Sequence, residues 1–293
     1  MNIALTGGSG FVGSHVLTEL VAHGHEVTAL VRGEEEAIVV AAKGAKATVV
    51  DLYDRAAVAN LLVDLDGSIH TASPGDATSA DLDSAVVDAV IEAYSGSGKP
   101  HIQISGLWVY GSNTTITEDS PRNPPPMVAW KEPIERRLLS ADGVRAIVPV
   151  SGSAYGDAGG GIPGLLLGSP RDDAGNLIMI GEGQQHWATV HVADLADFFR
   201  RAIEQASARG YYAIGNGLTS SVAELTEAAA IAVGAPGAVS GSEAEARARL
   251  GHYFAEVLLL DQGTPATRAR VELGWEPSHP GLVEEFRTGS YRK

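Results

Sequence analysis

The first 32 residues constrain the fold of this chain more than any other stretch. Residues 2–6 and 27–31 are two short apolar runs, each typical of a buried strand. Between them lies a glycine-rich segment, and apolar residues at helical spacing follow it as far as Gly24. Strand, glycine-rich turn, helix and strand, in this order, form the βαβ unit that binds a dinucleotide. We therefore predict that the chain begins with such a unit.

The glycines of this segment have separate tasks in a dinucleotide site. One permits a tight turn, another lets the backbone approach the pyrophosphate, and Gly13 lets the helix pack closely on the strand. The free N–H groups at the start of the helix then face the phosphates. We predict that the cofactor is held by seven consecutive residues: Gly7, Gly8, Ser9, Gly10, Phe11, Val12 and Gly13.

The bulk composition narrows the possible partners. The chain has 293 residues, 44% of them hydrophobic and 19% charged, as in a soluble globular protein with a sizeable core. Its formal net charge of -15 argues against nucleic acid and against an anionic membrane surface as partners. No apolar run reaches the roughly 18 residues of a membrane span, and no signal-peptide pattern is visible. We expect a cytoplasmic protein that acts on a small molecule.

The residue types and their spacing exclude several further kinds of chemistry. The chain contains no cysteine, so it has no disulfide, no thiolate nucleophile and no cysteine-bound metal. The nine histidines show neither the His-x-x-x-His nor the His-Glu-x-x-His spacing of a zinc site, and we predict no metal. The serine elbow of α/β-hydrolases and the P-loop are also missing from the sequence.

The end of the second strand discriminates between the two nicotinamide cofactors. An acidic residue there accepts a hydrogen bond from the ribose 2′-hydroxyl of NAD, whereas an arginine holds the 2′-phosphate of NADP. Arg32 follows the strand directly, and no acid stands at its end. This favours NADP. NAD stays the alternative, because Arg32 can also be a solvated cation and the glutamates at 34–36 would repel a nearby phosphate.

Three sequence signatures carry a family resemblance. The stretch from Thr6 to His15, with its glycines three apart, resembles the opening of the extended short-chain dehydrogenase/reductase family, which includes NAD-dependent epimerases and dehydratases. Val109-Tyr110-Gly111 and Leu273-Gly274-Trp275 resemble later segments of the same family. The resemblance covers residues 1 to about 290. It implies a nicotinamide cofactor and a homodimer paired through helices at about 79–97 and 127–142.

The predicted architecture is α/β: a doubly wound parallel sheet of about seven strands with helices on both faces. Residues 1–150 form the dinucleotide-binding domain, and 186–215 return to it. Residues 151–185 and 216–293 form a smaller substrate lobe over the carboxyl edge of the sheet. Strand ends supply further cofactor contacts. The resemblance places Asp51 and Leu52, at the end of the third strand, against the adenine, while Asp51 is equally compatible with a turn. The loop after the fourth strand passes beneath the cofactor and contributes Thr71, Ala72 and Ser73.

The sequence departs from the family's catalytic pattern at two positions. The family's Ser or Thr, counted back from Val-Tyr-Gly, falls on Gly106, with Ser105 one residue early and so on the opposite face of a strand. The family's Tyr-x-x-x-Lys pair has its lysine in Lys131, but Met127 stands at the tyrosine position and has no proton to transfer. Only Lys131, the ribose-binding lysine, carries over. The resemblance therefore points to an atypical member.

We assign three residues to the catalytic site: Lys131, Tyr110 and Trp108. Ser105 is added to the cofactor contacts. The candidate proton donors are Tyr110, Tyr155 or a water molecule. For Tyr110 we favour a role in packing, and Trp108 is equally compatible with a core aromatic. His191 and Asp194 resemble a catalytic or metal pair, but we interpret them as a strand end and a helix-capping carboxylate.

Three functional hypotheses follow. The first is an NADP-dependent reductase or dehydrogenase of a small carbonyl or alcohol with an unconventional proton donor. The second is a sugar-nucleotide epimerase or dehydratase, which is weakened because oxidation of a sugar hydroxyl needs a base where Met127 stands. The third is a non-catalytic dinucleotide-binding protein, such as a redox sensor. The first hypothesis ranks highest.

Overall fold

Strands and helices alternate along residues 1–292, which the computed structural model describes. The strands are β1 (Asn2–Thr6), β2 (Glu26–Val31), β3 (Lys46–Val49), β4 (Gly67–His70), β5 (Pro100–Gln103), β6 (Ser105–Gly106), β7 (Arg145–Ser151), β8 (Ser153–Tyr155), β9 (Leu177–Ile178), β10 (His186–His191), β11 (Gly210–Ile214), β12 (Thr219–Ser221) and β13 (Ala238–Val239). The helices are α1 (Phe11–Ala22), α2 (Glu34–Ala41), α3 (Arg55–Leu62), α4 (Ser79–Tyr94), α5 (Lys131–Leu139), α6 (Gly161–Leu167), α7 (Val192–Glu204), α8 (Val222–Ala232), α9 (Glu243–Leu250), α10 (His252–Leu258), α11 (Thr267–Leu273) and α12 (Leu282–Thr288).

The main sheet has the strand order β11-β7-β5-β4-β1-β2-β3, and the short strand β6 also pairs with β7. Every pairing in it is parallel. The chain starts at β1, proceeds outward to β3 and then returns to β4 on the other side of β1. This reversal between β1 and β4 is the topological switch point at which such sheets bind ligands. The predicted doubly wound parallel sheet is confirmed.

Two apolar layers cover the faces of this sheet. On one face, α1 and α7 contribute Leu17, Leu20 and Phe198, which have no solvent exposure. On the other face, α3, α4 and α5 pack through residues such as Val86 and Leu138. A parallel sheet buried on both faces explains why its strands read as continuous apolar runs rather than as alternating ones.

A third apolar cluster lies in the C-terminal half and includes Leu166, Trp187 and Leu258. It adjoins two small sheets, of order β12-β10-β8 and β13-β9. Because β8 follows β7 after the single residue Gly152, this cluster begins at the carboxyl edge of the main sheet. Residues 266–275, which the sequence assigned to the lobe, contribute instead to the core of the main sheet, where the buried Trp275 packs edge-on against Phe198.

Several predicted elements have different bounds. The single helix expected over 242–260 is two helices, α9 and α10, because Gly251 has a φ of +81° that interrupts the helix. The helix expected from residue 127 begins at Lys131, so Pro133 lies in its first turn, where a missing N–H costs no intrahelical bond. The glycine-rich loop after Gly156 contains the helix α6. Within the described residues, no helix has the length and apolar content required to cross a membrane.

Candidate functional site

A groove of about 560 Å³ opens at the switch point between β1 and β4. Its lining contains 13 of the predicted cofactor residues: Gly7, Gly8, Ser9, Gly10, Phe11, Val12, Gly13, Arg32, Asp51, Leu52, Thr71, Ala72 and Ser73. The sequence analysis missed seven others: Leu30, Val31, Glu36, Tyr53, Pro74, Thr78 and Leu82. Most of the residues that the sequence analysis assigned to the cofactor therefore line one groove, and their contact with a cofactor stays a prediction.

The glycine-rich turn brings the backbone close to the groove. Gly7 has a φ of +73°, a conformation that favours glycine, and its carbonyl accepts a 2.9 Å hydrogen bond from the N–H of Gly10. A Cβ atom on Gly13 would lie 2.1 Å from the Gly7 carbonyl oxygen, so only glycine fits there. Gly10 precedes α1 and has no side chain to cap it, which leaves the first N–H groups of the helix available to an anion.

The loop beneath the groove is bound to the end of β1. The Thr71 hydroxyl donates a 2.7 Å hydrogen bond to the Thr6 carbonyl, and the Thr6 hydroxyl oxygen accepts from the N–H groups of Thr71 and Ala72 at 3.3 and 3.4 Å. The same hydroxyl lies 2.6 Å from Nδ1 of the buried His70. His70 is thus a structural residue that fixes the floor of the groove, as expected for a histidine inside a strand.

Lys131 is bound by a buried carboxylate. Its Nζ lies 3.3 Å from Oδ2 of Asp83, whose Oδ1 lies 3.2 Å from Nε2 of His70. Burial raises the pKa of Asp83, but the hydrogen bond from His70 and the charge of Lys131 outweigh it, and the net shift is downward. Lys131 is absent from the lining of the groove, so its predicted contact with the ribose stays a prediction.

A second cavity, of about 250 Å³, lies at the carboxyl ends of β6 and β7 and shares Val12 with the groove. A more open cavity of about 530 Å³ adjoins it and leads past Trp108 and Phe254. The rings of these two residues meet edge-on, with centroids 6.4 Å apart. The smaller cavity is lined by Val12, Ile104, Ser105, Gly106, Leu107, Trp108, Ser151, Gly152, Ser153, Ala154, Ile162, Trp187, Ala188, Leu195, Leu258 and Gln262.

Ser105 and Gly106 both line this second cavity. The expectation that these positions face opposite sides of a strand stays a prediction. The strand β6 has only two residues, and a 3-10 helix (Leu107–Tyr110) follows directly. The Ser105 hydroxyl is buried and has no hydrogen-bond partner among residues 1–292. A buried hydroxyl without a partner is costly, and this one is itself shielded from solvent although its residue lines the cavity.

The two candidate tyrosines lie away from both cavities. Tyr110 is 2% exposed, and its ring centroid is 5.3 Å from the guanidinium carbon of Arg122. The Tyr155 hydroxyl donates a 2.7 Å hydrogen bond to the Pro280 carbonyl. Burial raises the pKa of both phenols. These residues pack the core, whereas Trp108 lines the cavity as predicted.

The His191 and Asp194 pair has structural roles. His191 caps α7, since its Nδ1 accepts a 3.2 Å hydrogen bond from the N–H of Ala193. The Asp194 carboxylate, which we expected to cap this helix, accepts instead from the N–H groups of Ser278 and His279. It thereby anchors the C-terminal segment. Over residues 1–292, no cluster of three or more potential ligands could hold a metal ion.

Charged residues stand at the outer end of the groove. Arg32 donates to the Glu36 carboxylate from Nε at 3.1 Å and from Nη2 at 2.7 Å. Asp51 forms the turn that was one of its two interpretations, since its Oδ1 accepts a 3.0 Å hydrogen bond from the N–H of Tyr53. It also lines the groove, and its contact with the adenine stays a prediction.

Several proteins of known sequence or structure are similar to this chain. The model of the NAD dependent epimerase/dehydratase family matches residues 3–215. An uncharacterized protein of Schizosaccharomyces pombe is 29% identical over 297 residues, covering 99% of this chain and 100% of that protein. The human epimerase family protein SDR39U1, solved with NADPH, is 21% identical, covers 99% of both chains and gives a TM-score of 0.76.

A UDP-glucose 4-epimerase of Thermotoga maritima, solved with UDP-glucose, gives the same TM-score of 0.76 at 18% identity. The alignment covers 99% of this chain and 97% of the epimerase. At such identities the structural likeness establishes the fold alone. The family model, by contrast, matches most of the chain, and this chain belongs to the NAD dependent epimerase/dehydratase family.

Proposed function

We propose that this protein is an NADP-dependent reductase or dehydrogenase of a small, uncharged carbonyl compound or alcohol. The observation that carries the proposal is the junction at Val12, where the dinucleotide groove meets the second cavity. A substrate in that cavity would lie at the carboxyl edge of the sheet, next to the inner end of a cofactor in the groove. The NADPH in the human relative and the position of Arg32 support NADP over NAD.

The residues of the groove fit a dinucleotide. Because Gly13 has no Cβ, the start of α1 can approach the Gly7 carbonyl closely and the turn stays tight. The first turn of α1, which has no side-chain cap, lines the groove. When bound, the nicotinamide cofactor supplies or accepts the hydride. The chain's own contribution is to align the two molecules and to exclude water with the apolar walls around Trp108 and Trp187. The Ser105 hydroxyl, which is buried and has no partner among residues 1–292, would bind the substrate oxygen after rotation of its side chain.

The walls of the second cavity favour an uncharged substrate. Large apolar side chains line it, among them Leu107, Trp108, Ile162, Trp187 and Leu258. Among residues 1–292, no lysine, arginine or histidine lines this cavity or the more open cavity beside it. A sugar nucleotide carries a diphosphate, which proteins usually hold with such cations or with free backbone N–H groups. A small aldehyde, ketone or alcohol matches the cavity better.

The sugar-nucleotide epimerase hypothesis rests on the similarity to the UDP-glucose 4-epimerase. Oxidation of a sugar hydroxyl requires a base at the tyrosine position, and Met127 occupies it, in a turn before α5 with 39% of its surface exposed. The non-catalytic hypothesis draws on the same two departures, Gly106 and Met127. One assay separates the three hypotheses.

The assay follows the absorbance of NADPH with a panel of uncharged aldehydes and ketones, and the conversion of UDP-glucose in parallel. We expect NADPH consumption with at least one carbonyl compound. Ser105→Ala should lower kcat by about 100-fold, as when one donor to a developing oxyanion is lost. Ser151→Ala is the matched control, because that hydroxyl lines the same cavity but already donates to the Gly152 carbonyl at 2.8 Å.

The other hypotheses predict different results. Epimerisation of UDP-glucose without carbonyl reduction would identify a sugar-nucleotide epimerase. Cofactor binding without turnover of any compound would identify a binding protein.

A further inference from the structure

The outer end of the groove contains two opposite charges that can each select a cofactor. Arg32 follows β2, and Glu36 lies four residues later, in the first turn of α2. Both side chains line the groove. The Glu36 carboxylate accepts two hydrogen bonds from the guanidinium, of 3.1 and 2.7 Å. Arg32 is therefore already paired at the place where an NADP phosphate would need it.

The two side chains favour different ligands. A guanidinium binds a 2′-phosphate, whereas a carboxylate accepts hydrogen bonds from the ribose hydroxyls of NAD. Hydrogen bonds from its own backbone N–H and from Arg32 lower the pKa of Glu36, so this carboxylate is charged at neutral pH. A phosphate group carries a charge of about -1.5 to -2. Glu36 would repel it and hold the arginine away from it.

We propose that Glu36 determines cofactor specificity: it competes with the 2′-phosphate of NADP for Arg32 and offers its carboxylate to the 2′-hydroxyl of NAD. The consequence is a protein that binds both cofactors, with its preference for NADPH reduced by Glu36. The inference deepens the proposed function and rests on its assignment of the groove to a nicotinamide cofactor.

The position of Glu36 separates it from its acidic neighbours. Glu34 and Glu35 precede it in the same helical turn, but both are exposed and neither lines the groove. The Arg32 side chain is 84% exposed, while that of Glu36 is 23% exposed. The carboxylate therefore stays at the wall, and the exposed arginine turns toward a ligand only when that ligand displaces the carboxylate.

The test measures dissociation constants of NADPH and NADH by calorimetric titration of the full chain. For Glu36→Gln, we expect NADPH to bind about threefold to tenfold more tightly, because the carboxylate no longer holds Arg32 and no longer repels the 2′-phosphate. NADH should bind more weakly. Glu35→Gln is the matched control. It removes the same charge one residue away, outside the groove, and should change both constants less than about twofold.

The same substitution in an Arg32→Ala variant tests whether Glu36 and the 2′-phosphate compete for Arg32. In Arg32→Ala, Glu36→Gln should improve NADPH binding less than it does beside Arg32, because no guanidinium remains to be released. An equal improvement in both backgrounds would refute the competition. If both cofactors bind the wild type but their ratio is the same in Glu36→Gln, the inference is wrong and the proposed function stands. If neither cofactor binds the wild type, both are overturned.

Discussion

Gly13→Ala is expected to abolish most cofactor binding and to destabilise the protein. A Cβ at this position would lie 2.1 Å from the Gly7 carbonyl oxygen and 2.6 Å from the Thr71 hydroxyl oxygen. The turn must move away, and overpacking of this kind costs about 1–3 kcal/mol of unfolding free energy. Displaced N–H groups no longer meet the pyrophosphate. Because hydrogen bonds to charged groups contribute about 1.5–3 kcal/mol, NADPH should bind about tenfold to 100-fold more weakly.

The measurements are urea unfolding and calorimetric titration with NADPH. Gly164→Ala provides the control, since Gly164 lies inside α6 and a Cβ there meets no atom within 4 Å. The control should match or exceed the stability of the wild type, because alanine favours a helix. Unchanged NADPH affinity in Gly13→Ala would show that the cofactor does not use this turn.

His101 is expected to make the protein lose stability steeply in mild acid. This residue of β5 is 1% exposed, with Nδ1 2.8 Å from the Ser68 hydroxyl. Burial lowers its pKa from 6.5 to about 3, and the nearby His70 adds to the shift. The folded state therefore keeps His101 neutral at a pH where the unfolded chain is protonated.

The sign follows from proton linkage. The unfolded state binds more protons than the folded state between the two pKa values, so stability rises with pH in this window. The contribution of His101 is complete above about pH 6.5 and is lost progressively as the pH falls toward about 3. Its slope is about 1.4 kcal/mol per pH unit. Urea unfolding at about pH 7, 6, 5 and 4 measures it.

His101→Gln should reduce the pH dependence of the free energy of unfolding by about 1.4 kcal/mol per pH unit, because glutamine does not titrate. The variant can start from a lower stability at neutral pH, so the slopes are compared rather than the absolute values. His252→Gln is the control, since His252 is exposed in α10 and meets water in the folded and unfolded states alike. Parallel curves for the wild type and His101→Gln would contradict the account.

The sequence predicted the parts of the site that depend on local pattern. The turn at residues 7–13 could be assigned because a strand, glycines at fixed spacing and a helix follow one another without interruption. Strand ends such as Asp51 and Thr71 could be placed because a parallel sheet brings its carboxyl ends to one edge. These inferences need only short-range periodicity and a general topological rule.

The remaining parts depend on contacts between distant segments. The second cavity includes Leu258 and Gln262, which reach the site from the C-terminal part of the chain. The pairing of Lys131 with Asp83 joins residues 48 positions apart. The helical period could have suggested the Arg32–Glu36 pair, since residues four apart share a helix face, but it does not show that the pair lines the groove.

The central claim is that the groove between β1 and β4 holds NADPH, with NADH as the weaker ligand. Calorimetric titration of the purified wild-type chain with each reduced cofactor tests it most directly. The account predicts saturable binding of both, tighter for NADPH, and loss of that preference in Arg32→Ala. Equal affinities in the wild type would contradict the role of Arg32, and the absence of binding for both cofactors would contradict the account as a whole.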